Sequence, residues 1–146
     1  MRTFEIVVYG EPVPQGRPRF ARRGNYVQTY DPQRSKNYKE LVRFWITQEL
    51  KKNTAFKPLK NACILDLTVY MGIPTSWNKT KRIEASEGVI RPTGKRAGDL
   101  DNIVKLIQDS ANGLLWEDDS IITDLHARKR YTAELARVVI KVTEVE

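Results

Sequence analysis

Cysteine and histidine are nearly absent from this chain of 146 residues, which has one Cys and one His. A single cysteine excludes an internal disulfide and argues against a thiolate zinc cage. It sits in an apolar run, where Cys63 reads as core packing. The lone histidine, His126 in "DLHARKRY", lacks any motif that would make it part of a Ser–His–Asp triad. No apolar run approaches the roughly 18–20 residues that span a bilayer. The N-terminal "MRTFEIVVYGEP" is too short in its apolar part for a signal peptide, so a cytoplasmic protein is expected. No glycine-rich phosphate loop precedes a helix. No repeat, low-complexity tract or linker divides the chain, and its length suits one domain over 1–146.

Acid is also short: 18 Asp and Glu stand against 25 Lys and Arg, for a net charge of +7. With a pI of about 9.6, that balance points to a polyanionic partner such as nucleic acid. The content of 40% hydrophobic and 29% charged residues is that of an ordinary folded domain.

Hydrophobic periodicity predicts the elements. "TFEIVVYGEP" alternates and is stopped by Pro12, which reads as a strand. "RSKNYKELVRFWITQELKK" spaces Tyr38, Leu41, Val42, Trp45 and Ile46 as one helix face, with Ser35 as its N-cap. "NACILDLTVYMGIP" is a second strand, ending near Pro74. "DNIVKLIQDSANG" is a second helix, with Gly113 as its stop. Two strands follow, over roughly 120–131 and 135–145. The order β-α-β-α-β-β predicts an α+β fold, a small mixed sheet covered by two helices.

Two long stretches, 12–35 and 75–98, are left as loops, and loops of that length call for a function. From Gln15 to Arg43 there are eight bases and two acids, with Phe20, Tyr26 and Tyr30 interleaved. Guanidinium forks suit phosphate and aromatic faces suit bases, so Arg17, Arg19, Arg22 and Arg23 are candidate DNA contacts. The second loop adds Lys79, Lys81, Arg82, Arg91, Lys95 and Arg96; of these Lys79, Lys81, Lys95 and Arg96 complete the candidate DNA-binding set.

Against this basic background stands one island of acid. Asp99 to Asp124 holds seven acids (Asp99, Asp101, Asp109, Glu117, Asp118, Asp119 and Asp124) and one base, Lys105. If the chain is extended up to Asp101, Asp99 and Asp101 point to one side and can grip one cation. Inside a helix they would lie about 200° apart. The helix that follows carries Ile103, Leu106, Ile107, Ala111 and Leu114 as its apolar stripe. Asp101, Lys105 and Asp109 line the opposite face. Lys105 there reads equally as an intrahelical ion pair and as a cation aimed at a substrate phosphate. The helix from Asp101 to Asn112 advances about 16 Å. The residues from Gly113 to Asp119 can run back about 23 Å if extended. That return, anchored by Trp116, could bring Asp118 or Asp119 beside the helix start. Three carboxylates with only oxygen ligands suit Mg²⁺ or Mn²⁺, which support phosphodiester hydrolysis. An EF-hand does not fit, because Ile103, Val104 and Leu106 stand where ligands and a glycine are needed. The competing reading is a non-catalytic basic DNA- or RNA-binding module, in which Asp101 only caps a helix and "EDDS" is a polar turn.

The stretch "GDLDNIVKLIQDSANGLLWEDDSII" resembles the core motif of the RusA family of Holliday-junction resolvases, often carried by phages and prophages. That motif has D-x-D-N, a Lys four residues after the second Asp, a D-A/S-x-N/T-G-like helix end and then W-x-D-D. "GEPVPQGRPRF", "YDPQRSKNYKE" and "PTSWNKTKR" are similar to the Gram-positive and phage branch. The resemblance implies a small homodimeric endonuclease of recombination and repair. It would cut opposing strands of a four-way DNA junction with Mg²⁺, for which Mn²⁺ can substitute. The family's essential aspartates fall on Asp99, Asp101 and Asp119, and its essential lysine on Lys105; Asp118 matches a neighbouring acid and is a further candidate ligand. Gly98 departs from the family, whose members commonly carry Pro or Arg there. A metal nuclease acting on other branched DNA is the nearest alternative.

Overall fold

A computed structural model describes residues 2–16, 19–24, 26–30 and 33–145, with the backbone alone at 19–21, 23, 26–30 and 96. Strand β1 (Arg2–Tyr9) is followed by a hairpin of β2 (Arg19–Arg23) and β3 (Tyr26–Tyr30). Helix α1 (Gln33–Leu50) and strand β4 (Cys63–Gly72) come next, then helices α2 (Lys79–Ser86) and α3 (Leu100–Ala111). Strands β5 (Ile122–Thr132) and β6 (Arg137–Glu144) close the chain. The main sheet has the order β1-β6-β4-β5. Its β1–β6 and β6–β4 pairs are antiparallel, while β4 and β5 are parallel. Parallel neighbours need a crossover, and α2 and α3 lie within it.

The fold is the expected mixed α+β sheet, with two additions. Both stretches read as loops contain structure. The first holds the β2–β3 hairpin, paired from Arg19↔Tyr30 to Arg23↔Tyr26 and turned through Gly24, whose φ of 61° suits glycine. The second holds α2, capped by Asn78, whose Oδ1 accepts from the Lys81 N–H at 2.9 Å. Neither element has a long apolar stripe, so periodicity passes over both. Ser35 is also corrected. It lies inside α1, buried, and its Oγ accepts from the Gly16 N–H at 2.8 Å instead of capping the helix.

The core forms where the two periodicities meet. Cys63, Leu65, Leu67, Val69 and Met71 face inward from β4, with Ile6 and Val8 from β1 and Val138, Ile140 and Val142 from β6. Tyr38, Val42 and Ile46 cover them from α1, and Ile103, Val104, Leu106, Ile107 and Ala111 from α3. Burying each large side chain contributes about 1.5–3 kcal/mol. Arg43 then ties α1 to α3. Its Nη1 donates to the carbonyls of Ser110 (2.8 Å) and Asn112 (3.3 Å), satisfying acceptors at the end of α3. The guanidinium is thus drawn into a structural cap.

Candidate active site

Asp99 is the N-cap residue of α3, with an extended backbone at φ −76° and ψ 132°. Its side chain makes no capping hydrogen bond. Among the described residues the carboxylate meets only the Asn102 side-chain amide, which donates to Oδ2 at 3.5 Å. Asp101 lies in the first helical turn, and its Oδ1 accepts from the Asn102 N–H at 3.0 Å. Asn102 therefore touches both carboxylates, and both aspartates are exposed. An N-cap aspartate normally spends its carboxylate on the helix N–H groups. Here that carboxylate is left open to solvent at the end of the helix where the dipole favours negative charge. Because α3 already begins at Leu100, the chain is not extended up to Asp101 as the same-side pairing required, and the two aspartates share Asn102 instead.

Lys105 is exposed one turn along α3, with no hydrogen bond or ion pair among the described residues. The intrahelical pair with Asp101 or Asp109 does not form. The ammonium is left directed at solvent on the same side of the helix as Asp101.

The local frame of Asp99 comes from three segments. Gly98 adopts φ 77° and ψ 165°, a region open to glycine alone. A Cβ there would stand 2.7 Å from Pro14 Cγ. The next residue, Gln15, donates its N–H to the Asn102 carbonyl at 3.1 Å. Gly16 is held by Ser35 on α1. Residues 14–16 thus run as a strap between α1 and the start of α3, immediately before the arginine-rich hairpin. From the sheet, Lys129 Nζ donates to the Gly98 carbonyl at 2.7 Å. Asn102, Pro14 and Lys129 were not singled out from the sequence. Of these only Asn102 carried a signal, as the fourth letter of D-x-D-N.

Asp118 and Asp119 lie elsewhere. After α3 the chain turns tightly: Leu114 and Leu115 both donate to the Ala111 carbonyl, and Gly113 donates to that of Trp116. Trp116 is fully buried, as its role of anchor requires, and its Nε1 donates to Asn112 Oδ1 at 2.8 Å. Its neighbours bond to Leu59: Leu59 donates to Leu115, and Glu117 to Leu59. The return is thus spent at the C-terminal end of α3 instead of running back along it. Among the described residues, no group of three or more His, Cys, Asp and Glu could hold one metal ion. Asp118 caps the short 3₁₀ turn Asp119–Ile121, accepting from the Ser120 N–H at 3.1 Å, and Ser120 holds its carboxyl below the usual range. Asp119 is half-buried, with no side-chain partner among the described residues.

The donor set still suits a small hard cation. Magnesium is commonly held by one or two carboxylates together with substrate phosphates and water. Asp99 and Asp101 supply such a pair on an open surface.

The basic candidates belong to several separate elements. Arg22 is exposed on β2, and Arg19 and Arg23 lie on the same strand. Arg17 lies outside the described residues, as does the side chain of Arg96. Lys95 is exposed in the 3₁₀ turn that leads to Gly98. Lys79 is exposed at the start of α2. Lys81 stands 3.9 Å over the Trp77 ring, which packs edge-on against Tyr131 at 5.2 Å. Within the described residues, no helix is long and apolar enough to cross a membrane.

Comparison with known proteins identifies the family. A family model described as endodeoxyribonuclease RusA matches residues 9–143. The chain is also 37% identical over 147 residues to "Uncharacterized protein YqaN" of Bacillus subtilis (strain 168), covering 99% of each. The family match takes in the strap, the aspartate pair, Lys105 and both later acids, and the chain belongs to the RusA endodeoxyribonuclease family.

Proposed function

We propose that this protein is a metal-dependent endonuclease that resolves four-way DNA junctions, acting as a homodimer in recombination or repair. The observation that carries the reading is the state of Asp99. It occupies a capping position without capping, two residues before Asp101, which stands one turn from Lys105, a lysine with no ion pair among the described residues. Asp99 and Asp101 hold Mg²⁺ or Mn²⁺. A divalent ion supplies charge neutralisation at the phosphate and an activated water when bound. Lys105 stabilises the charge that develops on the scissile phosphate or the leaving oxygen. Arg22, Lys79, Lys95 and the other arginines of the hairpin hold the DNA backbone.

Asp119 is assigned as the third carboxylate. Because one chain does not gather it with Asp99 and Asp101, it is supplied by the second copy of the dimer. Two symmetric cuts call for two such sites about one two-fold axis.

The deciding experiment compares a four-way junction with duplex, flap and single-stranded DNA, each with Mg²⁺, Mn²⁺ or EDTA. The expected result is paired cleavage of the junction alone, abolished by EDTA. Equal cutting of all four substrates would sink the junction assignment. Binding without metal-dependent cutting would leave the basic binding module as the better reading.

A further inference from the structure

Lys129 belongs to β5, on the side of the sheet that the helices cover. Its neighbours on that side, Ala127 and Tyr131, pack against the core. A lysine in such a place carries a desolvation cost unless its ammonium is satisfied. Lys129 is half-buried and forms no ion pair among the described residues. Its Nζ instead donates to one backbone oxygen, that of Gly98, at 2.7 Å.

That oxygen immediately precedes Asp99. The Gly98 carbonyl and the Asp99 N–H belong to one planar peptide unit. Holding the oxygen fixes that plane and the N–Cα axis of Asp99, about which its φ of −76° then sets the direction of the Cα–Cβ bond. The opposite side of Gly98 is closed by Pro14, which leaves no room for a Cβ. Asp99 has no capping bond of its own to set its side chain. Apart from the long 3.5 Å contact with the Asn102 amide, its orientation therefore depends on the peptide before it.

We propose that Lys129 is a positioning residue for Asp99, aiming its carboxylate at the cation through the Gly98 carbonyl. The inference rests on the reading of Asp99 as a metal ligand.

The test is Mn²⁺ binding to the metal-free full-length protein, followed by electron paramagnetic resonance. Lys129→Met is expected to weaken Mn²⁺ binding about ten-fold, the scale on which outer-shell partners of metal ligands act. Lys129→Arg, which keeps a donor, should recover most of the loss. Junction binding in EDTA should not change, because the ammonium is not offered to DNA. In an Asp99→Asn background, Lys129→Met should weaken Mn²⁺ binding no further. Should Lys129→Met fail to fold, Gly98→Ala moves the same carbonyl with Lys129 intact and should give the same loss. Mn²⁺ affinity unchanged in the folded variants would overturn the inference while leaving the metal site standing. Wild-type Mn²⁺ affinity insensitive to Asp99→Asn would overturn the metal reading, and this inference with it.

Discussion

The Gln15 N–H donates to the Asn102 carbonyl at 3.1 Å, joining the strap before the arginine-rich hairpin to the residue that contacts both exposed aspartates. Through it, the segment leading into the hairpin proposed to meet the DNA backbone and the helix that carries Asp101 share one backbone contact. Gln15→Pro removes the donor without adding charge. Loss of one such bond is worth about 1 kcal/mol. The variant should cleave junctions several-fold more slowly under single-turnover conditions, with the salt dependence of binding unchanged.

Asp99→Asn and Asp119→Asn should each abolish cleavage and leave junction binding intact or tighter, measured by gel shift in EDTA. Mixing the two variants separates the possible sources of the third carboxylate. If Asp119 serves the site of the other copy, a mixed dimer has one site with both substitutions and one with neither. It should nick the junction on a single strand. Sites completed within one chain would leave every mixed dimer inactive.

Arg43 counts among the bases of the N-terminal half, but it is committed to the carbonyls of Ser110 and Asn112. Arg43→Met should therefore lower stability to urea by about 1–2 kcal/mol. The salt slope of junction binding should not move. Lys79→Ala should do the reverse, reducing that slope by about one with no loss of stability.

Asp66 accepts from Arg128 at 2.9 and 3.1 Å, and that hydrogen bonding holds its carboxyl below the usual carboxylate range. A depressed folded-state pKa stabilises the protein above the unfolded value of about 3.9. The stabilisation disappears as pH falls through the depressed value. Both side chains are more than a third exposed, which limits the pair to about 1 kcal/mol. Asp66→Asn should thus unfold more easily than wild type at pH 7. In urea titrations across pH, the difference should close in acid.

Periodicity alone determined much of this protein. The inward face of β4 and most of the α3 stripe survive, because burial of one face dominates in those segments; Leu114 falls past the end of α3, and Val104 joins the buried face. The charge contrast between "GRPRFARRG" and "EDDS", and the D-x-D-N spacing, located the acids and Lys105 before any contact was known. The hairpin and α2 escaped notice because short, polar elements bury little and leave a weak pattern. Only the tertiary structure decided how each group is used. It turned Arg43 into a helix cap and Ser35 into a buried acceptor, and it brought Lys129 to Gly98. It also spent the return after α3 on packing Trp116, which keeps Asp119 away from Asp99. The reason is physical: spacing along a chain sets which residues can share a face. Which hydrogen bonds and charges are then satisfied depends on partners far away in sequence, and the carboxylates left unsatisfied are what the proposed site has to work with.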